Sequence, residues 1–350
     1  MTPLTISTPQ LRLLQRLCDA IAISGDEGEV RGIVLEEVRK SAEEVRVDAL
    51  GNVLVTKRGS GRNRLKVMLA AHMDEVGFMI LSDERDGFYQ FGTVGGMDAS
   101  QLAGKLVLVG REHIPAVIGM KPVHLTDGDE YKQKISLDAL RMDTGGRGGV
   151  QVGDRAGFST RFQRQGRTIF AKALDDRLGV ATLIELLKHA PANIDLLAAF
   201  TVQEEVGLRG ATVAAHVLAP DIAIALDCTA ARDLPAYDGR ENTVYNTRLG
   251  MGPAIYLVDA TTIHDKRLVK HFSSAGEAGG IPYQFRQPGG LDTDASAIQK
   301  QLEGIPSMTI SVPGRYLHSP VSSCRVEDWQ NTLRLLHAGL GSLTHSILKR

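Results

Sequence analysis

Apolar residues near the start of the chain recur every three or four positions: Leu11, Leu14, Cys18 and Ile21 fall on one side of a helix. Thr8 is the expected cap of that helix, Pro9 its first residue and Ser24-Gly25 its stop. A second amphipathic helix is predicted from about Glu27, carried by Val30, Val34 and Val38. The period then changes. Residues 45–47 and 52–56 read as strands paired across the turn Ala49-Leu50-Gly51. Residues 65–71 form a nearly continuous apolar run, as a strand buried on both faces requires.

Between about Val76 and Gln165, short strand-like pieces alternate with Gly, Pro and Asp turns, and no strong helical period appears. The pieces fall at 77–81, 88–91, 105–109 and 116–118, the pattern of a small β-rich domain. From Thr168 strand and helix alternate again. Strands are expected at 168–172, 196–202, 222–226 and 307–312, and helices at about 175–189, 210–217, 264–278 and from about Val326. The expected organisation is one α/β domain, residues 1–75 and 166–350, interrupted by a β-rich insertion at 76–165.

Composition narrows the class. The 350 residues suit two domains at about 150 residues each, and 43% hydrophobic residues supply a sizeable core. The 40 Lys+Arg against 41 Asp+Glu leave a net charge of −1, which disfavours nucleic acid as the main partner. Cys18, Cys228 and Cys324 show no paired spacing, which argues against a disulfide framework and against a zinc finger. Met1 to Gln10 lacks the basic-then-apolar pattern of a signal peptide, and the most apolar stretch, 65–81, is broken by Lys66, His72, Asp74 and Glu75. A bilayer span needs about 20 nearly uncharged residues. The expectation is a cytoplasmic α/β enzyme without a membrane partner.

Candidate chemistry gathers where the expected strands end. His72 and Asp74 follow 65–71, Glu204 and Glu205 follow 196–202, Asp227 follows 222–226, and His318 lies shortly after 307–312, while Asp175 opens a helix. Singly, each has a bland reading: a surface pair, a solvated acidic pair, a helix N-terminus, a loop histidine. Together they stand where open α/β sheets bind ligands, outside the carboxyl ends of the strands. Two imidazoles with three carboxylates suit zinc, cobalt or manganese, whereas calcium wants oxygen alone and structural zinc usually wants cysteine. Two such ions about 3.5–4 Å apart share a carboxylate, and a water activated between them needs a base that is not a ligand. One of Glu204 and Glu205 can ligate while its neighbour takes the proton, and Asp74 is placed to orient His72.

Six segments carry a resemblance that covers essentially the whole chain. They are Ala71-His72-Met73-Asp74-Glu75-Val76-Gly77, Lys172-Ala173-Leu174-Asp175-Asp176-Arg177-Leu178-Gly179 and Gln203-Glu204-Glu205-Val206-Gly207, followed by Ala225-Leu226-Asp227, Gly289-Gly290-Leu291-Asp292-Thr293-Asp294-Ala295 and Arg315-Tyr316-Leu317-His318-Ser319-Pro320. In these the chain resembles the dinuclear metallo-aminopeptidases of the tetrahedral (TET) type, the glutamyl and deblocking aminopeptidase family, some of whose members carry an endoglucanase label. The resemblance implies a zinc-peptidase-like catalytic domain with a mixed central sheet flanked by helices, and a small inserted PDZ-like domain used in dimerisation. It implies that His72, Asp175 and Asp227 hold one metal and Asp175, Glu205 and His318 the other, with Asp175 bridging. Glu204 is then the general base and Asp74 orients His72; the ions are zinc or cobalt, with manganese also compatible. The implied activity is removal of N-terminal residues from short peptides, in a hollow twelve-subunit tetrahedral particle.

Three positions depart from the family pattern: Asp176 where relatives often have Asn, the longer Gly290-Leu291-Asp292-Thr293-Asp294-Ala295 where many read Gly-Gly-Thr-Asp-Ala, and Ser322 where a Glu is common. Rival readings are a dinuclear-metal amidohydrolase of deacylase or carboxypeptidase type and a non-catalytic scaffold that keeps the fold. A glycosidase would use two carboxylic acids without metal. Gly104-Lys105 lacks the spacing and the following Ser or Thr of a phosphate loop. Loops 230–246 and 289–295 are expected to shape the pocket for the first residue, but Arg232, Asp233, Arg240 and Glu241 favour no single side chain.

Overall fold

Two helices, α1 (Thr8–Asp19) and α2 (Gly28–Val38), lead into the hairpin β1 (Glu44–Val47) and β2 (Val53–Lys57) and the buried strand β3 (Leu65–His72). The computed structural model describes residues 4–61, 64–128, 132–236, 238, 247–286 and 292–349. The cap of α1 is Ser7 rather than Thr8: Gln10 Oε1 accepts the Ser7 N–H at 3.0 Å, which closes a capping box. The helix ends at Asp19, because Ala20 is already extended, and not at Ser24-Gly25.

Strands β4 (Gly77–Asp83), β5 (Phe88–Val94), β6 (Leu106–Val109), β7 (Ile114–Gly119), β8 (Arg141–Asp143) and β9 (Arg155–Phe158) close into a separate small barrel. Its core includes Phe78, which meets Phe91 and Phe158 edge to face at 5.2 and 5.3 Å. The β-rich insertion is therefore a closed barrel interrupting the larger sheet.

The chain then returns through β10 (Gln163–Gln165), β11 (Thr168–Ala171), α3 (Leu174–Lys188), β12 (Ile194–Thr201), α4 (Arg209–Leu218), β13 (Ile222–Ala230) and β14 (Ala254–Tyr256). It continues through α5 (Lys266–Gly279), β15 (Gln284–Arg286), α6 (Asp294–Ile298), β16 (Ser307–Arg315), β17 (Ser322–Arg325) and α7 (Val326–Gly341). The large mixed sheet runs β1-β2-β12-β3-β13-β16-β17-β11-β10, with β14 on β16 and β15 on β14. Its centre, β12-β3-β13-β16, is parallel. Val67, Leu69 and Ala71 of β3 pack into the layer holding α1, α2, α3, α5 and α7, while Met68 and Ala70 pack beneath α4 and α6. Helices on both faces bury the parallel strands, which is why these strands read as apolar runs without alternation. Among the described residues no helix is long and apolar enough to cross a membrane.

Candidate active site

Because β12, β3, β13 and β16 are parallel neighbours, their carboxyl ends share one edge of the sheet, and the candidate side chains collect there. His72 is the last residue of β3. Glu204 and Glu205 follow β12 after Gln203, whose φ of 56° turns the chain through the left-handed region. Asp227 lies inside β13, paired with Ser311, since the strand continues past its apolar run to Ala230. His318 lies between β16 and β17 at a φ of 55°. Asp175 and Asp176 have non-helical dihedrals, so the regular helix begins only beyond them; the peptide bond between the two is cis. Four of the ten left-handed non-glycine residues among the described ones, Ala173, Gln203, Tyr316 and His318, lie in or beside the segments that carry these side chains.

One donor atom each from His72, Asp175 and Asp227 lie within 4.8 Å of one another, and the same holds for Asp175, Glu205 and His318. Asp175 belongs to both sets. Its Oδ1 is 3.4 Å from His72 Nε2 and its Oδ2 is 3.5 Å from His318 Nε2. Glu205 Oε1 is 3.3 Å from His318 Nε2. Glu204 belongs to neither set, and its Oε2 approaches His72 Nε2 at 4.0 Å. A third convergence joins Asp175, Asp176 and Cys228. There the Cys228 thiol donates to the Leu174 carbonyl at 3.2 Å, and Asp176 accepts from the backbone of His72 at 3.3 Å and of Gly179 at 2.9 Å. Gly179 leaves room for that carboxylate, because a Cβ there would run into both Asp176 oxygens.

Each imidazole is fixed from behind. His72 Nδ1 lies 3.1 Å from the Asp74 carbonyl and His318 Nδ1 3.0 Å from the Gly96 carbonyl, which the loop after β5 of the barrel contributes. A carbonyl can only accept, so Nδ1 carries the proton in both rings and Nε2 is aimed at Asp175. The fully buried Asp74 carboxylate lies 3.6 Å from His72 Nδ1 and accepts from the Ser24 hydroxyl at 2.6 Å. It also accepts the backbone N–H groups of Glu204 and Glu205 at 3.0 and 3.2 Å.

The cluster holds more negative charge than its own groups neutralise. Burial pushes Glu204, Glu205 and Asp227 above the usual carboxylate range, and neighbouring carboxylates push the same way. Burial opposes charge on His318, yet Asp175 and Glu205 raise it to about 11. Two buried cations in the adjoining segments are committed elsewhere. Lys172 Nζ lies 2.8 Å from both oxygens of Glu75, and Arg177 Nη2 lies 2.9 Å from Glu75 Oε1. Asp175 Oδ1 is buried and has no hydrogen-bond partner among the described residues. An orphaned acceptor at the centre of mixed imidazole and carboxylate donors fits divalent cations of borderline hardness.

A cleft of about 590 Å³ opens onto His72, Asp175, Glu204 and His318, and Tyr256 and Arg286 line it as well. Ser24, Tyr256 and Arg286 were not among the residues expected from sequence. Ser24 reads as a helix stop, and Tyr256 and Arg286 lie on three-residue strands that show no period. Of the two loops expected to shape the pocket, residues 239–246 and 287–291 lie outside the described residues.

A sequence model of M42 glutamyl aminopeptidases matches residues 51–335. The chain is 30% identical to the lysyl aminopeptidase of Pyrococcus furiosus over 345 residues, covering 95% of this chain and 96% of that protein. Among solved structures, aminopeptidase APDkam598 from the archaeon Desulfurococcus kamchatkensis superposes with a TM-score of 0.91 at 34% identity, covering 97% of each chain. The Pyrococcus horikoshii TET1 peptidase, which can assemble into a tetrahedron or a large octahedral shell, superposes with a TM-score of 0.83 at 33% identity, covering 95% of this chain and 100% of that one. Fold, sequence match and relatives agree, and the chain belongs to the M42 glutamyl aminopeptidase family.

Proposed function

We propose that the protein is a metal-dependent aminopeptidase that removes N-terminal residues from short peptides, using two divalent ions per subunit. The observation that carries this reading is the membership of Asp175 in two convergent donor sets. In this reading His72, Asp175 and Asp227 hold one ion, and Asp175, Glu205 and His318 hold the other. Zinc or cobalt suits these donors first, and manganese is also compatible. Bound there, such a pair supplies Lewis-acid polarisation of the scissile carbonyl and an anchor for the free α-amine.

The chain's own residues supply the rest. Glu204, outside both donor sets, takes a proton from the attacking water and passes it to the leaving amine as the C–O bond forms and the C–N bond breaks. Asp74 holds the backbone of Glu204 and Glu205, and its carbonyl fixes the ring of His72. The products are a free amino acid and a peptide one residue shorter.

Residues 1–75 and 166–350 form the catalytic unit in this reading, and the PDZ-like unit 76–165 carries dimerisation. Leu106, Val123, Leu125 and Val152 of that unit are each at least 62% exposed, which is consistent with a partner surface there. The assembly described for the TET1 peptidase extends by proposal to a cytoplasmic twelve-subunit particle here, with no nucleic-acid or membrane partner. Sedimentation velocity tests it, and a monomer at micromolar concentration refutes it.

The central test strips the protein with a chelator and restores zinc, cobalt and manganese separately. Elemental analysis accompanies hydrolysis of aminoacyl p-nitroanilides and of their N-acetylated counterparts. Two ions per subunit and cleavage of free-amine substrates alone are expected. Release of acetate from the blocked substrates favours a deacylase, and full activity after metal removal overturns the reading.

A further inference from the structure

Beside the catalytic cleft runs a second groove, of about 410 Å³, between the barrel and the loop that carries His318. Ser100, Gln101 and Lys105 line it from the barrel, and Tyr316, Leu317 and Val321 line it from the loop between β16 and β17. The two spaces are continuous. Leu317 lines both cleft and groove, and Ser319 lines both the groove and a small recess shared with Asp175, Glu205 and His318. The inner end of the groove therefore lies against the second donor set.

Both walls are held by hydrogen bonds. Ser319 Oγ lies 2.6 and 2.9 Å from the carbonyls of Tyr316 and Val321, and the Ser322 hydroxyl donates to the Tyr316 carbonyl at 3.2 Å. On the barrel side Asp98 accepts the Ser100 N–H at 3.0 Å. The backbone of Lys105 donates to Leu102 at 3.1 Å and accepts from Ile118 at 2.8 Å. A groove ordered in this way binds a ligand at little conformational cost.

Its chemistry is one-sided. Tyr316, Leu317 and Val321 supply apolar surface, and Lys105 is the single charged residue among those that line it. Lys105 is exposed and forms no ion pair among the described residues, while Asp98, the acid of the adjoining turn, is paired with Lys134 at 3.3 Å.

We propose that this groove takes the part of the peptide beyond the scissile bond, and that Lys105 binds its C-terminal carboxylate. The inference rests on the aminopeptidase reading and goes further, since it names peptides of a few residues with a free C-terminus as the preferred substrates. With the α-amine and first side chain in the cleft, the rest of the chain leaves past His318, where the groove opens. An extended chain advances about 3.3–3.6 Å per residue, so a short peptide ends inside the groove and a long one carries its carboxylate beyond Lys105. One fixed cation thereby reads length as well as terminus.

The test uses the full-length metal-loaded protein and peptides X-Gly, X-Gly-Gly, X-Gly-Gly-Gly and an X-(Gly-Ser) repeat of about ten residues, each as free acid and as C-terminal amide. X is the residue cleaved fastest from its p-nitroanilide. The native acid-to-amide ratio of kcat/KM should exceed that of the long peptide about 2- to 5-fold at one or two short lengths, the size of an exposed ion pair. In Lys105→Met the excess should vanish, chiefly through KM, and Lys105→Glu should turn preference toward the amide. Thermal melts confirm folding, and a ratio taken within one variant is insensitive to any loss of active protein. An unchanged ratio in folded Lys105→Met overturns the inference. So does an equal native preference at every length, because general charge attraction and not a fixed site produces that. Failure to cleave every free-amine substrate instead refutes the aminopeptidase reading itself, and this inference falls with it.

Discussion

Asp74 holds Glu204 by the backbone and not by the side chain: its Oδ1 accepts the Glu204 N–H at 3.0 Å. The other oxygen takes the Glu205 N–H and the Ser24 hydroxyl, so one buried carboxylate sets the turn that presents both glutamates. Asp74→Asn turns an amide N–H toward groups that are themselves donors. We expect kcat/KM to fall about 10- to 100-fold with only a modest change in melting temperature, as for residues that orient catalytic groups through another. A parallel measurement on Glu204→Gln decides between orientation and direct participation. If Asp74 acts through Glu204, the double variant loses little beyond Glu204→Gln alone.

Glu204 and Asp175 should separate chemistry from metal retention. Glu204 lies outside both convergent donor sets, so Glu204→Gln is expected to keep full metal content while turnover falls about 10²- to 10⁴-fold. Asp175 is common to both sets, so Asp175→Asn should lose occupancy at both. Elemental analysis beside steady-state kinetics reads both outcomes. Undisturbed occupancy in Asp175→Asn contradicts the bridging role, and normal turnover in Glu204→Gln removes it as base.

Behind the cluster, the Glu75 carboxylate faces two buried cations. Lys172 and Arg177 are 2% and 0% exposed at their side chains, and both pair with Glu75, itself 3% exposed. Burial lowers the pKa of Lys172, which shows how little water helps it. Glu75→Gln strands both charges, and removing one partner of a buried ionic group typically costs about 3–5 kcal/mol. Adding Lys172→Met should recover part of that loss, because one stranded charge is gone. Urea unfolding of the single and double variants measures both effects, and a neutral Glu75→Gln would show that the cations reach other acceptors.

Much of this arrangement is legible along the chain, for a physical reason. A polar residue that closes an apolar run is costly to bury, so His72, Glu204, Glu205 and Asp227 stand out against 65–71, 196–202 and 222–226. The parallel order of the central strands then brings their ends together. The wall formed by Tyr256 and Arg286 is not legible. It depends on β14 and β15 pairing in parallel with Tyr256 opposite Arg286, a non-local register between strands of three residues. Strands β8 and β9 of the barrel, three and four residues long, have no counterpart among the expected strand-like pieces of the insertion. The boundary of α1 fails differently. Ser7 and Thr8 are equivalent caps by type, and only the reach of Gln10 to Ser7 decides between them.

Stability should carry a pH signature that originates outside the donor cluster. Asp328 on α7 accepts the N–H groups of Gly250 and Gly252 at 2.7 and 2.8 Å, tying the turn before β14 to the helix. Burial nonetheless raises its pKa from 3.8 to about 6, against those two hydrogen bonds. A carboxyl whose folded pKa lies above its unfolded one favours the native state fully only below the unfolded value, and that contribution is lost as pH rises through the folded value. The window therefore runs from about pH 4 to just above pH 6, and the displacement corresponds to about 3 kcal/mol. Asp328→Asn does not titrate. The difference in unfolding free energy between native protein and variant should thus move against the native protein across that window and stay flat above it. Taking the difference removes every other titrating group that the two proteins share. A difference that moves in favour of the native protein as pH rises would show that the Gly250 and Gly252 donors outweigh burial.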